Sequence, residues 1–251
     1  MPPAVRDRAP KRSETGPVDA GSFDAGSFDA GSFDVAAFDL DGTLVDSNYQ
    51  HALAWFRTFR AHDITLPIWR IHRSIGMGGD QIVAKLAGDD VEDRLGDELR
   101  TRWKEEFDSM LAEIVAFSGA RELLIAARDR GFRVVLASSG AKEHTDHYID
   151  LLDARDLIDA YTTSEDVEAT KPAPDLVHAA VAKVHGRRGI LVGDSTWDCE
   201  SAAKAGALSY ALRTGGFSVE ELGAAGAAAV YDSLTELVDD LDNTSLSGAG
   251  R

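Results

Sequence analysis

Two aspartates two positions apart, Asp39 and Asp41, stand where the apolar run Val35-Ala-Ala-Phe38 gives out and the turn Gly42-Thr43 begins. Two acids so close are costly unless a cation or a chemical task holds them together. Other reactive residue types recur in the same setting. Ser138 follows the apolar run Phe132 to Ala137, and Asp194 and Asp198 follow Ile190 to Val192. Lys171 stands before Pro172 and Pro174, at the approach to a helix. Carboxylates gathered at one point make a hard-oxygen site suited to Mg2+. A lysine and a serine hydroxyl beside it can hold phosphoryl oxygens. A carboxylate next to the metal can attack phosphorus and form an aspartyl-phosphate. A second carboxylate can carry the proton as acid and then as base.

Such a set works only if the chain brings its members together. Val35 to Phe38 reads as a buried strand, being short, continuous and apolar. Phe132 to Ala137, Ala160 to Thr163, Ile190 to Val192, Ser209 to Leu212 and Ala228 to Tyr231 read the same way. Helical stripes separate them. Ser118 is a candidate cap for a helix carrying Leu123, Leu124 and Ala127, with Gly131 ending it, and Pro174 can open a helix with Leu176, Val177 and Ala180. Strands alternating with helices predict βαβ units and a parallel sheet. The reading is α/β, a doubly wound Rossmann-like sheet. Parallel strands end on one side, where ligands of open α/β sheets bind. Asp39, Asp41, Ser138 and Asp194 therefore converge on one rim, and Lys171 can reach it.

Between Ser47 and Ala116 no strand is apparent. His51, Trp55 and Phe59 recur at helical spacing, and Leu95, Leu99, Trp103, Phe107 and Leu111 form a fourfold row. An all-helical cap over 47–116 is expected, inserted after the first strand, with the α/β core at 33–46 and 117–241. Val45 to Asn48 is the candidate hinge. Residues 1–32 hold Gly-Ser-Phe-Asp copies at a period of five and read as a disordered low-complexity tail; 242–251 reads as a frayed tail.

Formal net charge is −17, with 44% hydrophobic residues. That balance argues against nucleic acid and anionic membranes as partners. No apolar run approaches a membrane span, and the single cysteine, Cys199, allows no internal disulfide. A cytoplasmic protein is expected. Cys199 reads as a small buried helix residue, not a nucleophile, and the row through Trp103 and Phe107 as core packing.

The motifs together resemble the haloacid dehalogenase superfamily, in the helical-cap branch that holds phosphoglycolate phosphatases and β-phosphoglucomutases. The resemblance spans roughly 34–241 and rests on Asp39-Leu-Asp41-Gly42-Thr43, Ser138, Lys171-Pro172-Ala173-Pro174 and Gly193-Asp194-Ser195-Thr196-Trp197-Asp198, in that order. It implies that Asp39 is the nucleophile and a Mg2+ ligand, and that Asp41 is the acid/base, its backbone carbonyl also on the metal. It implies that Ser138 and Lys171 hold the phosphoryl group and that Asp194 binds Mg2+, with Asp198 a ligand or an anchor behind one. Ser139 and Gly140, beside Ser138, are candidate substrate contacts. His51 lies at a place near the hinge and active site of β-phosphoglucomutase-like members, and Arg73 is a candidate for a substrate anion. Gly76-Met-Gly-Gly79 suits a loop that approaches a ligand or a plain interhelix turn.

The expected activity is a Mg2+-dependent phosphatase acting on a small phosphorylated metabolite through an aspartyl-phosphate, as monomer or homodimer. A phosphomutase is the alternative, although Gly76 to Asp80 lacks the arginine that the mutase carries nearby. A 2-haloacid dehalogenase is disfavoured by Asp41, since those members lack an aspartate there. A small capped pocket favours sugar phosphates or phosphoglycolate over phosphoproteins.

Overall fold

Six short apolar runs become the six strands of one parallel sheet: β1 (Val35–Phe38), β2 (Arg133–Ala137), β3 (Ala160–Thr162), β4 (Gly189–Gly193), β5 (Leu208–Leu212) and β6 (Ala229–Tyr231). The structure is a computed structural model describing residues 33–250. The expected tail at 1–32, with all but the last two residues of the Gly-Ser-Phe-Asp repeats, lies outside the described residues. Strand order is β3-β2-β1-β4-β5-β6. β1 is central, Phe38 registering with Leu136 of β2 and Val192 of β4. The order reverses beside β1, which makes the crevice past β1 and β4 the place where such a sheet takes a ligand.

Helices cover both faces, as a parallel sheet requires. They are α5 (Ala120–Asp129), α6 (Lys142–Leu151), α7 (Asp175–Lys183), α8 (Thr196–Lys204), α9 (Val219–Ala224) and α10 (Leu234–Asp240). Alternate residues of β1 serve opposite faces. Ala36 and Phe38 join a core with Leu123, Tyr148 and Leu237, and Val35 and Ala37 join one with Val177 and Ala180.

Between β1 and β2 run α1 (Asn48–Ala61), α2 (Ile68–His72), α3 (Gly79–Ala87) and α4 (Asp89–Asp108). They bury a cluster of their own, including Trp55, Phe59, Ile71, Ile82, Val83 and Leu99. Asp89, Asp90 and Glu92 in the first turn of α4 favour its positive end. The chain leaves and re-enters the sheet region side by side. Val45 pairs antiparallel with Ala116, Asp46 N–H donates to the Val115 carbonyl at 2.9 Å, and Phe117 N–H to that of Leu44 at 3.0 Å.

Two expectations are corrected. Ser118 does not cap α5: the chain enters through Gly119 at φ 91°, and the Ser118 side chain stays in solvent. Residues 242–250 are not frayed. Two 3-10 turns, Leu241–Asn243 and Ser245–Ser247, bury Leu246, and Ser245 N–H donates to the Tyr210 hydroxyl at 2.8 Å. Leu241, Leu246 and Ala249 pack on the core, and Ala249 N–H donates to the Arg130 carbonyl at 3.0 Å, which fastens that end.

Candidate active site

Asp39 follows β1 directly, and its N–H donates to the Val192 carbonyl at 2.9 Å, extending the ladder one residue past the strand. Its carboxylate is thereby fixed beside the end of β4, where Asp194 begins. The buried Lys171, its side chain 1% exposed, reaches between acids: Nζ lies 2.5 Å from Asp39 Oδ1 and 2.7 Å from Asp198 Oδ1. Lys171 comes from the loop between β3 and α7 and Asp198 from the first turn of α8. Three chain segments distant in sequence therefore meet at one ammonium group.

Asp198 is held from behind. Ser195 caps α8, its hydroxyl accepting from Asp198 N–H, and Asp198 Oδ2 accepts from Ser195 N–H at 3.2 Å and from its hydroxyl at 2.5 Å. Both oxygens of Asp198 thus have protein partners, one in the capping box and one on Lys171. Asp194 is fixed by Thr43, whose hydroxyl donates to Oδ1 at 3.2 Å, and by Asn48, whose amide donates to Oδ2 at 2.8 Å. Gly42 makes that approach possible. Its φ is +78°, and a Cβ there would stand 2.2 Å from Asp194 Oδ2.

The electrostatics show what is missing from a protein-only balance. Burial pushes Asp39 well above the usual carboxylate range despite Lys171, and Asp198 and Asp194 push it further. Burial, with the Asp198 charge, lifts Asp194 to about 7. Carboxylate oxygens of Asp39, Asp194 and Asp198 all lie within 4.8 Å of one another. Three buried acids against one ammonium leave negative charge uncompensated, and an all-oxygen donor set of this kind fits Mg2+.

Asp41 takes another setting. Burial alone would raise it, but the charge and hydrogen bond of His51, with the Ser47 hydroxyl, hold it at about 2. His51 Nε2 lies 2.8 Å from Asp41 Oδ1 and Ser47 Oγ donates to the same oxygen at 2.6 Å. The carboxylate is acceptor-only when ionised, so Nε2–H is the donor. The His51 ring is fixed by stacking on Phe107, centroids 4.0 Å apart, and on Trp103 at 5.5 Å.

A cavity of about 490 Å³ opens over these groups. Asp39, Asp41, His51, Ser139 and Gly140 line it on one side. The loop Gly76 to Gly79 lines it on the other and touches the sheet's loops as well: a Cβ on Gly78 would sit 2.0 Å from Thr170 Oγ1. Ser138 is buried behind the rim, its hydroxyl accepting from Gly140 N–H at 2.9 Å. Arg73 does not line the cavity. Its guanidinium lies over the Phe217 ring, 3.8 Å from the centroid, and pairs with Glu221. Arg73, at the end of α2, thereby ties that helix to Gly216 and to Glu221 of α9. Cys199 is buried, and burial pushes its thiol up to about 12, which keeps it inert at neutral pH.

Asn48, Thr43, Ser47 and Ser195 have supporting places that the sequence reading did not assign. Only Ser195 carried a local signal, the Ser-x-x-Asp spacing of a capping box. The others act through contacts up to 151 residues apart.

Fold and site define a doubly wound α/β protein with acids and a lysine gathered past its central strands. The haloacid dehalogenase-like hydrolase family profile matches residues 33–206, and the chain belongs to that family. It is similar to the validoxylamine A 7'-phosphate phosphatase of Streptomyces hygroscopicus subsp. limoneus, 25% identical over 189 residues, 70% of this chain and 83% of the relative. It is 27% identical to the phosphoglycolate phosphatase of Nitrosospira multiformis over 184 residues, 70% of this chain and 81% of the relative. Among solved structures, a hydrolase from Pseudomonas syringae superposes with a TM-score of 0.79 at 33% identity, covering 84% of this chain and 98% of that one.

Proposed function

We propose that the chain is a Mg2+-dependent phosphatase that hydrolyses a small phosphorylated metabolite through an aspartyl-phosphate on Asp39. The observation that carries this reading is the buried Lys171 joining Asp39 to Asp198 beside Asp194, with Asp39 itself lining the cavity. Asp39, Asp194 and the Asp41 carbonyl would hold the ion, with Asp198 beside them positioning Lys171. When bound, Mg2+ supplies positive charge to the phosphoryl oxygens and to the acids around them.

The rest is work for side chains. Lys171 and Ser138 orient the phosphoryl group so that an Asp39 oxygen faces phosphorus in line with the leaving oxygen. A bond forms from Asp39 oxygen to phosphorus, and the ester bond from phosphorus to the alcohol breaks. The departing oxygen takes a proton from Asp41. The phosphate dianion beside Asp41 disfavours its ionised form, which lets it carry that proton although the resting value is about 2. Once the alcohol leaves, the Asp41 carboxylate takes a proton from water as that water attacks phosphorus, and phosphate departs. His51 and Ser47 hold Asp41 in place through both steps. The helical segment 47–116 acts as the cap, excluding bulk water over the core segments 33–46 and 117–241.

The test is phosphate release with Mg2+ from Asp39→Asn beside wild type. Turnover is expected to fall by at least about a thousandfold, the scale of removing a nucleophile. In Asp41→Asn, turnover should fall by roughly 10²–10⁴-fold with binding retained, the cost of a missing acid/base. An Asp39→Asn protein that turns over like wild type would overturn the mechanism.

A further inference from the structure

One face of the helical segment is apolar and open. Three of the five large hydrophobic side chains exposed among the described residues stand on it: Tyr49 at 67%, Ile68 at 43% and Trp69 at 66%. Tyr49 lies in the first turn of α1, Ile68 and Trp69 in that of α2. The two helices meet there, the Tyr49 ring stacking on His72 with centroids 5.0 Å apart. Ile68 and Trp69 precede His72 by four and three residues, one helical turn on the same side. The three exposed side chains therefore form one strip. Arg70, exposed beside them, pairs with no carboxylate among the described residues. None of the four lines the cavity.

Charge narrows what covers the strip. The chain carries −17 overall, yet residues 57–73 hold four arginines against one acid, Asp63. Aromatic rings beside an unpaired arginine suit an acidic partner that brings apolar side chains of its own. The chain contains such a segment. From Ser13 to Ser32 it has four acids and no lysine or arginine, and Gly-Ser-Phe-Asp stands there at 21–24 and 26–29. The next copy ends in Phe33-Asp34, which displays the contacts this motif makes. Phe33 is buried with the Arg188 guanidinium 4.8 Å from its ring centroid, and the Asp34 carboxylate accepts from the N–H groups of Arg187 and Arg188. Phe23-Asp24 and Phe28-Asp29 bring the same ring and carboxylate, and the strip offers aromatic surface and a guanidinium. Reach decides which molecule they find. The five residues from Phe28 to Phe33 span at most about 18 Å. From Phe33 to Asp39 along the strand is already about 20 Å, and Tyr49 stands beyond that end, next to Asn48 on Asp194. Residues 26–29 therefore reach the strip of another molecule and not their own.

We propose that this face is an interaction surface for the N-terminal segment of a second copy of this chain, the Phe23 and Phe28 rings lying on Trp69 and Tyr49, and Asp24 and Asp29 pairing with Arg70. Across a two-fold dimer the contact is made twice, each chain supplying one strip and one segment. The repeat thereby gains a task, because the binding of one Phe-Asp raises the effective concentration of the next. The strip lies outside the cavity, so association leaves the acids past β1 and β4 accessible.

The experiment is sedimentation equilibrium of the full chain at stepped concentrations, with circular dichroism to confirm that each variant is folded. Wild type is expected to dimerise. Trp69→Ala, and Phe23→Ser together with Phe28→Ser, should each raise the dimer Kd by at least about tenfold, the scale of one lost aromatic contact. Arg70→Glu should weaken the dimer, as should Asp24→Arg with Asp29→Arg. Combining the three should restore it in part, because the charges then exchange places. A wild-type chain that stays monomeric up to about 100 µM would overturn the proposal. So would a dimer whose Kd ignores the two Phe changes, since the helical faces would then meet directly. A dimer lost with the Phe changes but untouched by Trp69→Ala seats the segment elsewhere and counts equally against it. None of these outcomes bears on the phosphatase reading, which phosphate release tests separately.

Discussion

Single acids in this chain differ by what surrounds them more than by their type. Asp39 and Asp41 are two residues apart, yet burial drives one up while His51 holds the other at about 2. Asp34, at the entry to β1, is a third case with a purely structural role. Burial would raise it, but the N–H groups of Arg188 and Arg187 donate to its oxygens at 3.0 and 2.9 Å, and with the Arg187 side chain they hold it below the usual carboxylate range. A lowered carboxylate contributes stability that is present above its unfolded value, near 3.9, and is lost as pH falls through its folded value. Asp34→Ala should therefore cost about 1–3 kcal/mol at pH 7, since two N–H groups lose their acceptor. The gap between variant and wild type should close as pH falls below about 4. Urea unfolding at stepped pH measures both the gap and its closure.

At the scale of elements, α4 does two jobs with one stripe. Leu99 faces the cluster of Trp55, Phe59 and Val83 and is fully buried, while Trp103 and Lys104 on the same helix reach the cavity. Its fourfold row predicts the buried face, and the structure adds that the row ends on His51 and, through Asp108, on His144 of α6 at 2.7 Å. Leu99→Ala removes packing from a site with little room to collapse and should cost about 2–5 kcal/mol. The denaturation midpoint reports the loss. Because α4 carries the cavity wall, KM should also rise while the acids past β1 and β4 stay in place.

On the scale of the whole molecule, the cavity exists because the helical segment rests on the sheet's loops. Gln81 at the start of α3 donates to the Thr170 carbonyl at 2.7 Å and to that of Lys171 at 3.3 Å, and Thr170 donates to Asp80. The residues that shut the cavity thus grip the loop that presents the lysine. Gln81→Ala should weaken that grip by the value of two net hydrogen bonds and raise KM about three- to tenfold, with kcat changed less. Steady-state kinetics on the best phosphate ester separates the two. An unchanged KM would show that closure does not depend on this tie. No helix among the described residues is long and apolar enough to cross a membrane.

The sequence alone determined the strands, their parallel sense and the strand ends that Asp39, Asp41, Ser138 and Asp194 follow. Short buried runs and the residue just past each are local features, and parallel strands end on one side by geometry. It also held the Asp39-Leu-Asp41 and Gly193-Asp194 motifs that carry the family resemblance. The tertiary structure decided what each acid touches. That Lys171 bridges Asp39 and Asp198, that Asn48 and Thr43 hold Asp194, and that Arg73 turns to Phe217 and Glu221 all depend on contacts between distant segments. It alone paired Arg100 with Glu92, and so determined the charge of the cavity wall. Pairing between side chains is set by how helices seat on a sheet, and no spacing within one segment encodes it.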